Sequence, residues 1–96
     1  MMTDTFTLQL THLLQDASAA HGVYETDVLD GVYDEQWAAW YADWLVNHGL
    51  NELLETHFDA PSFGKLLEAL NVEHEQSERS ESWAQFTARA LIARYR

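Results

Sequence analysis

Two histidines of this 96-residue chain stand four residues before a glutamate and directly before a glycine. His21 precedes Glu25, and His48 precedes Glu52. Imidazole nitrogens and carboxylate oxygens are together suitable ligands for zinc or iron. If the fold brings the pairs together, we expect a divalent metal site to which His21 and Glu25 contribute. The alternative hypothesis is that each histidine lies at the C-terminal end of a helix and satisfies free carbonyl groups there.

A cluster of carboxylates follows the first histidine. Hard cations such as Ca²⁺ or Mg²⁺ bind clustered oxygen atoms, but the spacing here does not match an EF-hand loop. A solvated loop is the alternative interpretation. Five acids lie within eleven residues, namely Glu25, Asp27, Asp30, Asp34 and Glu35.

An aromatic stripe follows the acidic cluster. Large rings bury roughly 150–250 Å² each, so they either form the core of a small domain or stay partly exposed to bind a partner. The sequence leaves both alternatives open. The stripe consists of Trp37, Trp40, Tyr41 and Trp44.

Charge is distributed unevenly along the chain. Residues 1–64 contain no lysine or arginine and carry eleven of the sixteen acids, so the net charge of −11 belongs to them. Direct binding to nucleic acid or to an anionic membrane is therefore not expected, because both need clustered cations. A basic protein surface, a bound cation, solubility and adaptation to salt remain as alternatives.

Bulk properties predict one domain that spans residues 1–96. The absence of cysteine excludes disulfides and thiolate metal sites. There is no signal peptide pattern and no apolar run long enough to span a membrane, so we expect a cytoplasmic protein. No phosphate-binding glycine loop, nucleophile elbow or other catalytic set is present, and we expect a binding protein rather than an enzyme.

Apolar spacing predicts helices throughout. The first helix should run from about Asp4 to Ala20 and end at Gly22. The second should be capped by Asp34 and end at Gly49, after which a kink or turn leads to a short third segment.

A proline predicts the end of the third segment, and Ser62 is the expected cap of the next helix. Residues 73–82 are polar and form either the exposed end of that helix or a mobile segment. Ser82 and Gln85 form a capping box before a last helix from Trp83 to about Arg94, whose arginines could pack against the acidic part.

The predicted fold class is all-α, a single-domain bundle of four to five helices. Residues 22–34 are predicted as an irregular acidic loop. A short hairpin at Asp30-Gly31 is the alternative.

The run from His21 to Gly49 resembles a family of short helical bacterial proteins of uncharacterised function. The matching motifs are His-Gly-x-Tyr-Glu, which starts at His21, and Gly-Val-Tyr-Asp-Glu-x-Trp-x-x-Trp-Tyr, which starts at Gly31. The resemblance covers about a third of the chain and implies no activity, cofactor or partner.

The leading functional hypothesis is a small acidic module that binds a protein partner, either a basic surface or a second copy of itself as a dimer. One alternative is a protein, with or without enzymatic activity, that binds a metal or small ligand through His21, Glu25 and the acids of residues 25–35, beneath Tyr24, Tyr33 and Trp37. Another is an inhibitor that mimics the charge of nucleic acid. The residues expected to bind a partner are Trp37, Trp40, Tyr41, Trp44, Asp27, Asp30, Asp34 and Glu35.

Overall fold

A computed structural model describes residues 5–77 and 81–95. Within these residues the chain forms five helices and no strand, which confirms the predicted all-α single-domain class. The helices are α1 (Thr5–Asp27), α2 (Trp37–Asn47), α3 (Leu50–Leu54), α4 (Ala60–Gln76) and α5 (Trp83–Tyr95).

The four long helices pack as two pairs. The most extensive contacts join α2 to α4 and α1 to α5, and further contacts between α1 and α2 and between α4 and α5 close the bundle. Every helix contributes to one buried apolar core. Its members are Leu10, Leu14, Ala17, Ala38, Ala42, Leu45, Leu50, Leu54, Phe63, Leu67, Leu70, Ala84, Ala88 and Leu91.

The closest helix pair, α2 and α4, meets through small residues. Ala38 and Ala42 are the buried positions in the first two turns of α2. A Cβ placed on Gly64 of α4 would lie 3.4 Å from the carbonyl oxygen of Ala38. The backbones can therefore approach closely, because no side chain separates them at this point.

Two predicted helix ends are confirmed. The Ser82 hydroxyl accepts a hydrogen bond from the Gln85 N–H at 3.1 Å, and the Gln85 side chain accepts one from the Ser82 N–H at 3.3 Å. This reciprocal pair is the predicted capping box of α5. Gly49 has a φ of +102°, a left-handed conformation that separates α2 from α3 as expected.

The prediction that α1 ends near Ala20 is wrong. The helix continues through Gly22, which has helical geometry, and ends at Asp27. A glycine inside a helix costs roughly 0.5–1 kcal/mol relative to alanine. Packing of His21 and Tyr24 against rings of α2 offsets that cost, since tertiary contacts supply most helical stability in proteins.

The expected irregular loop is shorter than predicted, and the alternative hairpin is not formed. Residues 22–27 belong to α1, and residues 28–36 connect it to α2. Asp30 and Gly31 both have positive φ, at 52° and 81°. The Gly31 N–H donates to the Glu25 carbonyl at 2.8 Å, so the turn folds back on the end of α1 instead of pairing strands.

Two predicted caps are also corrected. Gln36, not Asp34, occupies the N-cap position of α2, and its side chain makes no capping hydrogen bond. Asp59, not Ser62, caps α4, because its carboxylate accepts hydrogen bonds from both the N–H and the hydroxyl of Ser62 at 2.9 Å. Pro61 then fits the first turn, where its missing N–H costs nothing.

The polar stretch 73–82 is divided in the structure. Residues 73–76 form the last turn of α4, in which His74 is half-buried and the others are exposed, whereas 78–80 lie outside the described residues. The expected packing of α5 arginines against the acidic loop is not observed. Arg89 pairs with Glu81 and Arg94 with Glu73, so both are balanced by acids of the last third of the chain.

No helix within residues 5–77 and 81–95 is long and apolar enough to cross a membrane.

Candidate functional site

His21 is the buried centre of the site. It lies in α1, and its residue surface is 6% exposed. Its ring centre lies 4.9 Å from that of Trp40 and 4.8 Å from that of Tyr41, both on α2. The imidazole therefore fills the space between the two helices, a position that requires α1 to continue beyond Ala20.

Two carboxylates face the ring nitrogens of His21. Nε2 lies 2.9 Å from Oδ2 of Asp34, and Nδ1 lies 3.5 Å from Oε1 of Glu25, one helical turn further along α1. The contact with Asp34 has hydrogen-bond geometry, whereas the Glu25 carboxylate lies further from the ring.

Asp34 is held by a short turn of its own. Its Oδ1 accepts a hydrogen bond from the Gln36 N–H at 2.9 Å, and its main-chain carbonyl accepts one from the Trp37 N–H at 3.2 Å. Both carboxylate oxygens are thus used within the chain. The sequence favoured Asp34 as a helix cap, whereas the structure makes it the link between α1 and the start of α2.

A cavity of about 410 Å³ opens to solvent beside this charged group. Residues from α1, α2, α4, α5 and the 28–36 connection line it, so it depends on the complete fold. The lining residues are Ser18, His21, Glu25, Tyr33, Asp34, Trp37, Tyr41, Asn71 and Trp83.

The surroundings of Tyr41 in the cavity raise the pKa of its phenol above the ordinary value. Burial raises the pKa of its phenol, and the negative charge of Glu25 raises it further. A hydrogen bond from the phenol to Ser18, at 3.3 Å, lowers the pKa and partly opposes these effects. The carboxylate of Glu25 therefore acts across the cavity as well as on His21.

The geometry does not support a metal site at His21 and Glu25. Within residues 5–77 and 81–95, no group of three or more His, Cys, Asp or Glu side chains is arranged to hold a metal ion. Both nitrogens of His21 already face carboxylates, so neither is free to coordinate a cation.

His48 has the helix-terminal role that was the alternative. Its Nδ1 donates to the Trp44 carbonyl at 2.6 Å, and its ring stacks on the Trp44 indole with 3.7 Å between centres. The two histidines therefore have different partners.

A second concave surface, here called the outer depression, lies across the 28–36 connection. It measures about 630 Å³ and shares Tyr33 and Asp34 with the cavity. Two apolar side chains that line it are strongly exposed, Val32 and Tyr33, each at 65%. Its lining residues are Tyr24, Leu29, Val32, Tyr33, Asp34, Glu35, Gln36, Ala39, Trp40 and Asp43.

The aromatic stripe of α2 is neither fully core nor fully surface. All four rings are half-buried. Trp37 and Tyr41 line the cavity, whereas Trp40 lines the outer depression. Trp44 packs against the core and His48, outside both concave surfaces.

The predicted acids separate in the same way. Asp34 and Glu35 lie at the outer depression, and Glu25 lies in the cavity. Asp27 and Asp30 are exposed and line neither surface.

Three cavity residues were not predicted as part of a site. Ser18 lies one turn before His21, on the same helical face, and this spacing is a signal that sequence could have provided. Asn71 and Trp83 come from α4 and α5. Their proximity depends on how the helices pair, which the amphipathic pattern does not specify.

Comparison of the chain with protein-family models, with curated proteins and with solved structures finds no match.

Proposed function

We propose that this protein is an interaction module that binds a basic segment of a partner protein at the outer depression. The observation that carries the proposal is the combination of exposed apolar side chains with carboxylates on one surface. Val32 and Tyr33 are each 65% exposed, and Asp34, Glu35 and Asp43 line the same surface.

Exposed apolar groups of this size favour contact with another molecule. Large clustered apolar patches are uncommon on monomers and often mark interaction sites. Aromatic rings such as Tyr33 and Trp40 supply much of the binding energy at protein interfaces. The patch therefore supplies the apolar part of an interface, and its acids form a charged rim.

Charge selects the kind of partner. Residues 1–64 contain no lysine or arginine, and the two described arginines of α5 are paired with Glu73 and Glu81. A lysine-rich or arginine-rich segment is attracted to such a surface and steered toward it. A second copy of this chain would bring the same unbalanced acids, so a basic partner is the better occupant.

A labelled helical peptide with leucines on one face and lysines on the other provides a defined probe. We expect fluorescence anisotropy to show saturable binding that weakens as salt is raised, because salt screens exposed charges. Replacing Val32 by serine should weaken binding about fivefold, since it loses a buried apolar contact of roughly 1 kcal/mol.

Val72→Ser is the matched control. Val72 is 50% exposed on α4 and lies outside the outer depression, so this variant should bind the peptide like the native chain. Equal binding of a peptide with glutamate in place of lysine would contradict the charge argument. Light scattering that shows a stable dimer through this surface would replace the basic partner with a second copy.

An inhibitor that mimics nucleic-acid charge is the special case in which the basic partner is itself a nucleic-acid-binding protein. The unbalanced charge of residues 1–64 is the observation that favours it. Competition between such a partner's nucleic acid and this chain would distinguish that case from a general basic surface.

A further inference from the structure

We infer that the cavity beside His21 binds a small alkylammonium ion between its aromatic walls and the carboxylate of Glu25. The cavity borders the outer depression at Tyr33 and Asp34 but does not include Val32. The variants that test this ammonium site change Glu25 and Glu68, whereas those that test the outer depression change Val32 and Val72.

The walls of the cavity suit a diffuse positive charge. Trp37, Tyr41 and Trp83 meet edge to face, with interplanar angles of 85°, 84° and 75° for the three ring pairs. Rings that are perpendicular to one another form a corner, and Tyr33 lies on the same cavity. Aromatic faces attract organic cations within about 6 Å of their centres, and quaternary ammonium ions are bound in this way.

The charged group at the base of the cavity is negative. Glu25 and Asp34 together carry two negative charges, and His21 contributes at most one positive charge, so the net charge is negative in either protonation state of the ring. No lysine or arginine from residues 5–77 and 81–95 lines the cavity. A cation therefore meets no like charge apart from His21, which the two carboxylates already face.

Organic ammonium fits this arrangement better than a metal ion or a guanidinium group. Asp34 uses both carboxylate oxygens within the chain, which leaves Glu25, 35% exposed, as the accessible carboxylate. A metal ion needs several such ligands. A guanidinium group prefers a carboxylate with two free oxygens, whereas an ammonium ion needs one oxygen and aromatic faces.

The size of the cavity agrees with a small ligand. Its volume of about 410 Å³ lies within the roughly 300–1,000 Å³ of small-molecule sites. The cavity opens to solvent, so a ligand enters without any rearrangement of the helices.

The four tryptophans provide a direct test by NMR. Methylammonium and tetramethylammonium chloride are titrated separately, with sodium chloride at equal ionic strength as the reference. We expect saturable shifts of the indole N–H signals of Trp37 and Trp83 and little change at Trp44, which lies outside the cavity. Tighter binding of tetramethylammonium would assign the dominant contact to the rings, and tighter binding of methylammonium would assign it to Glu25.

Two charge-matched variants complete the test. Glu25→Gln should weaken ammonium binding about tenfold, because it removes the accessible carboxylate. Glu68→Gln makes the same change on an exposed part of α4 outside the cavity and should have no effect. The absence of saturable shifts at Trp37 and Trp83, identical shifts with sodium, or unchanged binding by Glu25→Gln would overturn the inference.

Competition then identifies the source of the ammonium group. Displacement of the lysine-containing peptide by tetramethylammonium would show that a partner's lysine enters the cavity. Simultaneous binding would show a free amine as a separate ligand. Both results require the ammonium site, and the NMR titration tests that site whether or not the peptide binds.

Discussion

The segments 21–34 and 48–59 begin with the same His-Gly dipeptide and end with an aspartate that precedes a helix. In the first segment, Gly22 is helical and His21 is buried between α1 and α2. In the second, Gly49 is left-handed and His48 is exposed on the Trp44 ring. The difference teaches that a His-Gly pair permits a helix end without requiring one.

The aspartates of the two segments differ as the histidines do, because one has only local partners and the other contacts a different helix. Asp59 uses its carboxylate to cap α4, whereas Asp34 directs one oxygen to His21 and the other to Gln36. In the 21–34 segment, His21 and Asp34 could have ended or started a helix, but each contacts a residue of another element instead. In the 48–59 segment, His48 and Asp59 keep their local roles.

The largest predicted effect is the loss of stability on replacing His21, with replacement of His48 as the comparison. His21→Ala should lower the free energy of unfolding by about 2–3 kcal/mol, because it empties space between rings and leaves Oδ2 of the nearly buried Asp34 carboxylate without its His21 contact. His48→Ala should cost less than about 1 kcal/mol, as for most exposed substitutions. Urea unfolding followed by circular dichroism measures both, and equal losses would contradict the comparison.

Replacing the two glycines by alanine should change the stability of the fold in opposite directions. Gly49→Ala is expected to destabilise the fold by about 1–2 kcal/mol, since its φ of +102° is unfavourable for a residue with a Cβ. Gly22→Ala should stabilise by about 0.5–1 kcal/mol, because the position is helical and an added Cβ would meet nothing within 4 Å. Thermal unfolding of the two variants tests this directly. A lower Tm for Gly22→Ala would show that its backbone is not simply helical.

The cap at Asp59 predicts a smaller effect that depends on pH. Hydrogen bonds from the main chain and side chain of Ser62 lower the pKa of Asp59 below its ordinary value of 3.8. The unfolded chain therefore binds a proton more readily, so the stabilisation is complete above the ordinary pKa and is lost as pH falls through the lower folded value.

Asn can also cap a helix, but it does not titrate. Asp59→Asn should therefore unfold near neutral pH much like the native chain and should show a flatter loss of Tm in acid. Asp59→Ala, which removes the cap, should be less stable throughout. If the Tm of Asp59→Asn falls with pH as steeply as that of the native chain, Asp59 is not the source of this pH dependence.

The smallest predicted effect is a loss of stability at alkaline pH that arises from the phenol of Tyr41 in the cavity. Because the folded state raises the pKa of Tyr41 above 10.0, it holds the phenol proton more tightly than the unfolded chain does. Stability from this source is complete below the ordinary pKa and falls as pH rises through the folded value. Tyr41→Phe should flatten that slope, which ultraviolet absorbance of tyrosinate and Tm measurements can follow together.

Features set by neighbours in sequence were predictable. The Ser82–Gln85 box and the Gly49 break depend on residues within one turn, and their hydrogen bonds and φ angle agree with the pattern. The pairing of His21 with Glu25 was not predicted in this way, because the first helix was expected to end near Ala20, before the two residues could share a helical face. The sequence predicted Ser62 as the cap of α4, and the geometry of the turn gives that role to Asp59.

Features set by distant contacts were not predictable. The extension of α1 depends on rings of α2, which stabilise a helix that its own Gly22 weakens. The contact of Asp34 with His21 depends on the positive φ angles of Asp30 and Gly31. Trp83 joins the cavity because α5 packs on α1, and apolar periodicity alone does not choose that pairing over another.

The close approach of Gly64 to the Ala38 carbonyl explains why the tryptophans of α2 are only half-buried. An indole needs a gap between helices, and none exists where the backbones of α2 and α4 are this near. The inward face of α2 is therefore restricted to Ala38, Ala42 and Leu45. The larger rings lie on the flanks of the helix, where Trp37, Trp40 and Tyr41 line the two concave surfaces. In this sense the smallest side chains of the bundle determine where its largest ones are available for binding.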